Sequence, residues 1–163
     1  MSASTPAIAA ATAAGVAFRV HEYEHERGTT AWGPEAAAAL GVDPARVLKT
    51  LVVDTAAALA VAVVPVECEL DLKALARAVG AKQARLAAQA AAERSTGYVV
   101  GGISPVGQKQ ALRTVIDDTA REFATVYVSA GRRGLEIELG PDDLVTLTRG
   151  SYAAIARRRP GSS

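Results

Sequence analysis

The sequence is short of several kinds of residue, and each shortage excludes a class of protein. Its single cysteine, Cys68, excludes an internal disulfide and favours a reducing compartment. A net charge of +1 gives no global basic field for nucleic acid, so any such site must be a local patch. No uncharged apolar run reaches the ~18 residues that span a membrane, and the N-terminus lacks the pattern of a signal peptide. We therefore expect a cytoplasmic protein without a membrane partner.

The residues that are present predict one domain of the α+β class. Thr5-Pro6 and Gly15 predict a capped first helix, and two β-branched runs at 46–54 and 59–65 predict an antiparallel strand pair. Further strands are predicted at 18–23, 98–100, 113–117, 125–129 and 135–139, with helices between them. We expect a single domain over 1–156 with a mixed, mostly antiparallel, barrel-like sheet and helices packed outside. The arginine-rich end, 157–163, is expected to be a flexible tail.

A glycine-rich stretch from Ser95 to Lys109 is the most distinctive part of the sequence, with four of the fourteen glycines. Its order, a short apolar run followed by glycines, predicts a strand that ends in a loop and forms the backbone floor of a binding site. The stretch nearly matches a phosphate-binding P-loop. However, Lys109 stands one place late, Gln110 replaces the metal-binding Ser or Thr, and Pro105 removes an amide. Nucleotide hydrolysis is therefore not expected.

Several basic residues each have two possible roles. Lys49 lies in a strand that is apolar on both faces, so its ammonium either extends to solvent at the strand end or lines a pocket beside the glycine loop. Lys109, Arg132 and Arg133 are candidates for a basic rim that contacts phosphates, although arginines in a turn are commonly just solvated. The sequence leaves both alternatives open.

A zinc-protease string, H-E-x-x-H, occurs at 21–25 but in the wrong context. The motif needs a helix that places both histidines on one face, whereas the flanking residues predict a strand. In a strand, His21 and His25 would stand ~13 Å apart, too far to share one zinc ion. We expect no metal site.

The sequence resembles the YbaK/EbsC family of Cys-tRNA(Pro) deacylases, relatives of the editing domain of bacterial prolyl-tRNA synthetases. The resemblance covers nearly the whole chain and rests on Lys49-Thr-Leu51, on the glycine-rich stretch and on Tyr127-Val-Ser-x-Gly-x-Arg-Gly-Leu135. It implies hydrolysis of the ester between cysteine and the terminal adenosine of tRNA(Pro), with no cofactor. Matched by motif, Lys49 and Gly101 are the catalytic positions. The expected substrate-binding positions are Tyr23, Trp32, Thr50, Gly102, Ile103 and Ser129. With tRNA as the implied substrate, the phosphates of the basic rim at Lys109, Arg132 and Arg133 are expected to be those of tRNA.

The resemblance also implies a mechanism in which the protein supplies no nucleophile. The cysteine thiol of the substrate attacks its own ester carbonyl, and the protein holds the reactive conformer and stabilises developing charge. Trp32 stands where relatives can carry phenylalanine, which implies a narrower pocket. Selection of tRNA(Pro) is expected to come from docking with prolyl-tRNA synthetase. The alternative is a catalytically silent module of the same fold that binds tRNA or the synthetase.

Overall fold

Ten strands and five helices lie along the described part of the chain in the computed structural model, which covers residues 4–24 and 32–158. For residues 32 and 33 only the backbone is described. The helices are α1 (Pro6–Ala14), α2 (Trp32–Leu40), α3 (Leu72–Val79), α4 (Gln89–Thr96) and α5 (Pro141–Thr148). The strands are β1 (Phe18–Glu22), β2 (Leu48–Asp54), β3 (Leu59–Pro65), β4 (Cys68–Leu70), β5 (Arg85–Leu86), β6 (Arg113–Asp117), β7 (Val126–Arg132), β8 (Leu135–Leu139), β9 (Ser151–Ala153) and β10 (Ala156–Arg158).

The first helix begins and ends where its capping residues predict. The Thr5 hydroxyl accepts a hydrogen bond from the Ile8 amide at 3.2 Å, and Pro6 occupies the first turn, where it sacrifices no helical hydrogen bond. Gly15 ends the helix with a φ of 71°, a left-handed conformation that glycine adopts without steric cost. The capped first helix is therefore confirmed.

The largest sheet has five strands in the order β5-β2-β3-β6-β9. Strands β2 and β3 pair antiparallel over their full length, from Leu48 opposite Pro65 to Asp54 opposite Leu59, which confirms the predicted pair. The β3–β6 and β6–β9 pairs are parallel. Side chains alternate across the sheet, so Val61 and Val63 enter one apolar core while Ala62 and Val64 enter another. Burial on both faces explains why β3 is apolar throughout.

The remaining strands form two smaller sheets, one with the order β1-β8-β7 and one that pairs β10 with β4. All pairs in these sheets are antiparallel. The three-stranded sheet meets the five-stranded one at Val47, which bridges to Tyr127 and accepts a hydrogen bond from the Val66 amide at 2.8 Å. The mixed, mostly antiparallel α+β fold is confirmed, but the sheets do not close into a barrel.

Two local expectations are wrong. Residues 98–100 form no strand: the Val99 carbonyl accepts from the Gly102 amide at 2.9 Å and closes a turn, while the hydroxyl of the buried Tyr98 donates to the Val106 carbonyl at 2.6 Å. The boundary of the expected flexible tail, residue 157, was also placed too early. Residues 157 and 158 belong to β10, which pairs with β4. No helix in the described ranges is long and apolar enough to cross a membrane.

Candidate functional site

A cavity of about 640 Å³ opens where the two larger sheets meet. Its walls come from β2, from the start of α2, from α4 with the turn that follows it, and from β7 and β8. The predicted site residues that line it are Tyr23, Lys49, Thr50, Gly101, Ile103 and Ser129. Residues that were not among the predicted site positions complete it, among them Pro34, Ala36, Leu86, Gln89, Val100 and Glu136. The fold thus gathers six predicted positions from four separate parts of the chain.

Strand β2 brings Lys49 and Thr50 to this cavity. Both are half-buried, and both pair with β3, where Lys49 lies opposite Val64 and Thr50 opposite Val63. The Thr50 hydroxyl oxygen is buried and has no hydrogen-bond partner among the described residues. A buried hydroxyl without a partner is costly, so this group is ready to bond a ligand. Burial raises the pKa of the nearby Cys68 thiol, and the positive charge of Lys49 acts to lower it.

Gly101 lies at the cavity because a tight turn places it there. The turn runs from Val99 to Gly102, and Gly101 has a φ of 98°, which the third residue of a type II turn requires. The Val100 amide donates to a carboxylate oxygen of Glu93 on α4 at 2.8 Å. The backbone at Gly101 is therefore held in position before any ligand binds.

Two other glycines of the stretch, Gly102 and Gly107, serve close packing, and Gly97 ends α4 with a φ of 82°. A Cβ atom at Gly102 would lie 2.5 Å from the Arg132 Cα, and one at Gly107 would lie 2.5 Å from the Pro6 carbonyl oxygen. Within the stretch, Val100, Gly101 and Ile103 line the cavity, whereas Gly102 lies behind them against β7. The backbone floor predicted from the whole stretch is thus reduced to one turn.

Glu136 is the cavity residue that the sequence did not reveal. It lies on β8 directly opposite Ser129 of β7, and only 6% of it is exposed. No described group hydrogen-bonds its carboxyl, and burial raises its pKa from 4.5 to about 8. The same burial effect, followed by the charge of Glu136, raises the pKa of Tyr23 across the cavity. The alternation of apolar and acidic residues along β8 predicts that Glu136 faces solvent. Packing against other parts of the chain buries it instead.

The three predicted tRNA contacts lie outside the cavity lining and differ in their accessibility. Lys109 is exposed beside the turn, where its amide donates to the Thr96 carbonyl. The Arg132 side chain is 57% exposed, with a loose ion pair to Glu22 at 3.7 Å. Arg133 is mostly covered, and its guanidinium hydrogen-bonds Glu35. Lys109 and Arg132 are therefore the two that phosphates can reach directly.

Two predictions fall partly outside the described side chains. Trp32 is the first residue of α2, the helix whose next turn lines the cavity, so its predicted effect on pocket size stays a prediction. His25 lies outside the described residues altogether. His21 lies on β1, not on a helix, and its Nε2 atom is 2.8 Å from a Glu138 carboxylate oxygen. The helical geometry that the zinc string requires is therefore not formed at His21.

The sequence and the fold both match known proteins. A family model described as an aminoacyl-tRNA editing domain matches residues 25–147. A protein of Enterococcus faecalis, named as a proposed Cys-tRNA(Pro)/Cys-tRNA(Cys) deacylase, EbsC, is 37% identical over 145 residues, covering 85% of this chain and 88% of its own. The solved structure of a proposed trans-editing enzyme for prolyl tRNA synthetase is 26% identical with a TM-score of 0.83, covering 96% and 99% of the two chains. A hypothetical protein of known structure is 28% identical with a TM-score of 0.82, covering 94% and 100%.

The family match spans most of the chain and includes β2, the Gly101 turn and β7–β8, which build the cavity. The chain therefore belongs to the aminoacyl-tRNA editing domain family.

Proposed function

We propose that this protein is a trans-editing deacylase that hydrolyses the ester of mischarged Cys-tRNA(Pro). The observation that carries the proposal is the cavity at β2 and Gly101 in a chain 37% identical to the Enterococcus protein named for that activity. Editing takes place where aminoacyl-tRNA is made, so the proposal places the protein in the cytoplasm. Prolyl-tRNA synthetase is the proposed source of tRNA selectivity.

The cavity lacks a strong nucleophile among its described lining residues, whose hydroxyls are those of Tyr23, Thr50 and Ser129. The nucleophile is then either the substrate or a positioned water, and the family resemblance favours the substrate. In that mechanism the thiol sulfur attacks its own carbonyl carbon, and the bond from that carbon to the ribose oxygen breaks. The thiol proton ends on that oxygen, so the products are a cyclic thioester and tRNA with a free hydroxyl. The protein supplies orientation and charge stabilisation, which can account for large rate enhancements.

Each polar group of the cavity suits one part of an aminoacyl ester. Lys49 complements the negative charge that develops on the carbonyl oxygen or the ribose oxygen. The rigid turn offers backbone contacts at Gly101, and the Thr50 hydroxyl lacks a partner until a ligand supplies one. Glu136 is the buried carboxyl in the lining and is suited to hydrogen-bond the substrate's α-amino group. Lys109 and Arg132 are proposed to contact phosphates of the acceptor end.

The direct test is deacylation of Cys-tRNA(Pro) by the wild type, by Lys49→Ala and by Lys73→Ala. Lys73 is an exposed lysine on α3, away from the cavity, and serves as the matched control. We expect kcat/KM to fall roughly 10²-fold or more in Lys49→Ala, as when one stabilising donor is lost, and to stay near wild type in Lys73→Ala. If the wild type does not deacylate Cys-tRNA(Pro) faster than buffer does, the deacylase proposal is wrong. The alternative, a catalytically silent module that binds tRNA or the synthetase, would remain.

A second assay tests how the ester is cleaved. Wild type is given Cys-, Ser-, Ala- and Pro-tRNA(Pro) under identical conditions. Cleavage by the substrate's own thiol predicts a rate for cysteine far above that for alanine, which carries no side-chain nucleophile. Comparable rates for both would replace this mechanism with attack by a positioned water.

A further inference from the structure

An ion pair joins two elements that are distant in sequence at the edge of the cavity. Arg133 lies in the turn between β7 and β8, and Glu35 lies in the first turn of α2. The Arg133 Nε donates to Glu35 Oε1 at 3.2 Å, and its Nη2 lies 3.2 Å from both carboxylate oxygens. The two side chains are only 20% and 13% exposed. This shielded, multiply bonded pair is of the kind that contributes more than a surface salt bridge.

Among the described side chains of α2, those of residues 34–40, Leu40 is the one large apolar group that helps to hold the helix in position. Its nine residues include four consecutive alanines, and a helix this short is marginal without tertiary contacts. Its buried side chains are those of Ala36 and Ala37, which pack with the partly buried Leu40 on Val47, Val66 and Tyr127. Two alanines and a partly buried leucine bury less apolar area than a helix face of large side chains, so this contact is modest. The Glu35 carboxylate is therefore a major anchor of α2.

The ion pair connects two parts of the chain that line the cavity. Pro34 and Ala36, the residues on either side of Glu35, both line the cavity. On the other side, the carbonyl of Gly134, next to Arg133, accepts from the Tyr23 amide at 3.0 Å, and Tyr23 lines the cavity too. The pair is close enough to Tyr23 that both of its charges act on the pKa of that phenol.

We infer that Glu35 and Arg133 are positioning residues that fix α2 as a wall of the amino-acid cavity and thereby set its amino-acid selectivity. Arg133 then acts through Glu35 and α2, not as a contact to tRNA phosphate. The inference about selectivity rests on the proposed function, whereas the positioning of α2 is measurable without any substrate.

The test uses Arg133→Gln, Glu35→Gln and the charge swap Glu35→Arg/Arg133→Glu, with Arg132→Gln as the matched control. The single tryptophan, Trp32, is the first residue of α2, so its fluorescence reports on this helix without substrate. We expect both neutral variants to shift the Trp32 emission and to speed amide exchange over 32–40 alike, and the swap to restore both at least in part. Arg132→Gln should leave both unchanged.

The kinetic comparison uses Cys- and Ala-tRNA(Pro). We expect the Cys-to-Ala ratio of kcat/KM to fall about tenfold in Arg133→Gln and in Glu35→Gln, with the double neutral variant no worse than either. Arg132→Gln should instead raise KM and lower the salt dependence of binding, as the loss of one phosphate contact does. If Arg133→Gln behaves like Arg132→Gln while Glu35→Gln changes neither emission nor selectivity, the inference is overturned. A wild type without deacylase activity refutes the proposed function, and the emission and exchange data still decide the inference.

Discussion

The substitution Glu136→Gln should change how stability depends on pH, and its sign follows from burial. The unfolded carboxyl titrates near its ordinary pKa of 4.5, whereas burial raises the folded pKa to about 8. Between these values the folded state keeps a proton that the unfolded state releases, so the free energy of unfolding falls as pH rises. Each pH unit changes that free energy by about 1.4 kcal/mol. Between pH 5 and 8 the contribution of Glu136 is thus on the order of 4 kcal/mol.

Urea unfolding of the wild type and Glu136→Gln at several pH values measures this effect. Glutamine keeps the shape of the side chain and cannot ionise, so the variant should gain stability relative to wild type as pH rises from 5 to 8. Glu138→Gln on the same strand is a control, because the pH dependence that Glu138 gives to stability has the opposite sign. The hydrogen bond from the Thr125 hydroxyl, and then the interaction with His21, lower the pKa of Glu138. Its carboxylate therefore stabilises the fold above its unfolded pKa and loses that effect in acid.

One result would refute the reasoning about Glu136. If the stability curves of wild type and Glu136→Gln run parallel between pH 5 and 8, the carboxyl has the same pKa in both states. It would then be hydrated or paired with a cation in solution, and its proposed contact with the substrate's amino group would lose its support.

Three further substitutions have definite expected outcomes. Gly102→Ala should lower the free energy of unfolding by about 1–3 kcal/mol, because its Cβ would press on the Arg132 backbone; thermal unfolding measures this, and an unchanged Tm would contradict it. Asp117→Ala should cost roughly 3 kcal/mol in urea unfolding, because the buried carboxylate accepts from the amides of residues 155 and 156, and a loss below 1 kcal/mol would count against it. Thr50→Val should leave stability unchanged or improve it by about 1 kcal/mol while lowering kcat/KM; equal activity would remove Thr50 from the site.

The sequence predicted those features that depend on local chemistry. Thr5, Pro6 and Gly15 mark the ends of α1 because capping involves only neighbouring residues. The β2–β3 pair follows from two β-branched runs with a short connection. The prediction of a strand at 98–100 was wrong because contacts with a loop, not with a partner strand, bury the Tyr98 side chain. Burial alone does not distinguish these two arrangements.

The site was predictable only where a motif marked it. Lys49, Thr50 and Gly101 could be matched in sequence, and the fold gathers them at one cavity. Glu136 could not, because the alternation along β8 is that of a strand with one exposed face. Helix α2, whose Ala36 and Ala37 pack on Tyr127 of the neighbouring strand β7, lies about a hundred residues away in the chain, so β8 itself carries no sign of this cover. The ion pair of Arg133 with Glu35 could not be predicted either, because no sequence pattern near either residue indicates its partner.

The close packing of Gly102 and Gly107 has a consequence for how relatives of this protein are classified. Their missing side chains admit the backbone of Arg132 and of Pro6, so folding demands these glycines whether or not any ester is cleaved. A descendant that lost its catalytic power would still need them. The glycine signature therefore diagnoses ancestry and architecture. Under the proposed function, Lys49 is the residue whose replacement would distinguish an active hydrolase from an inactive relative.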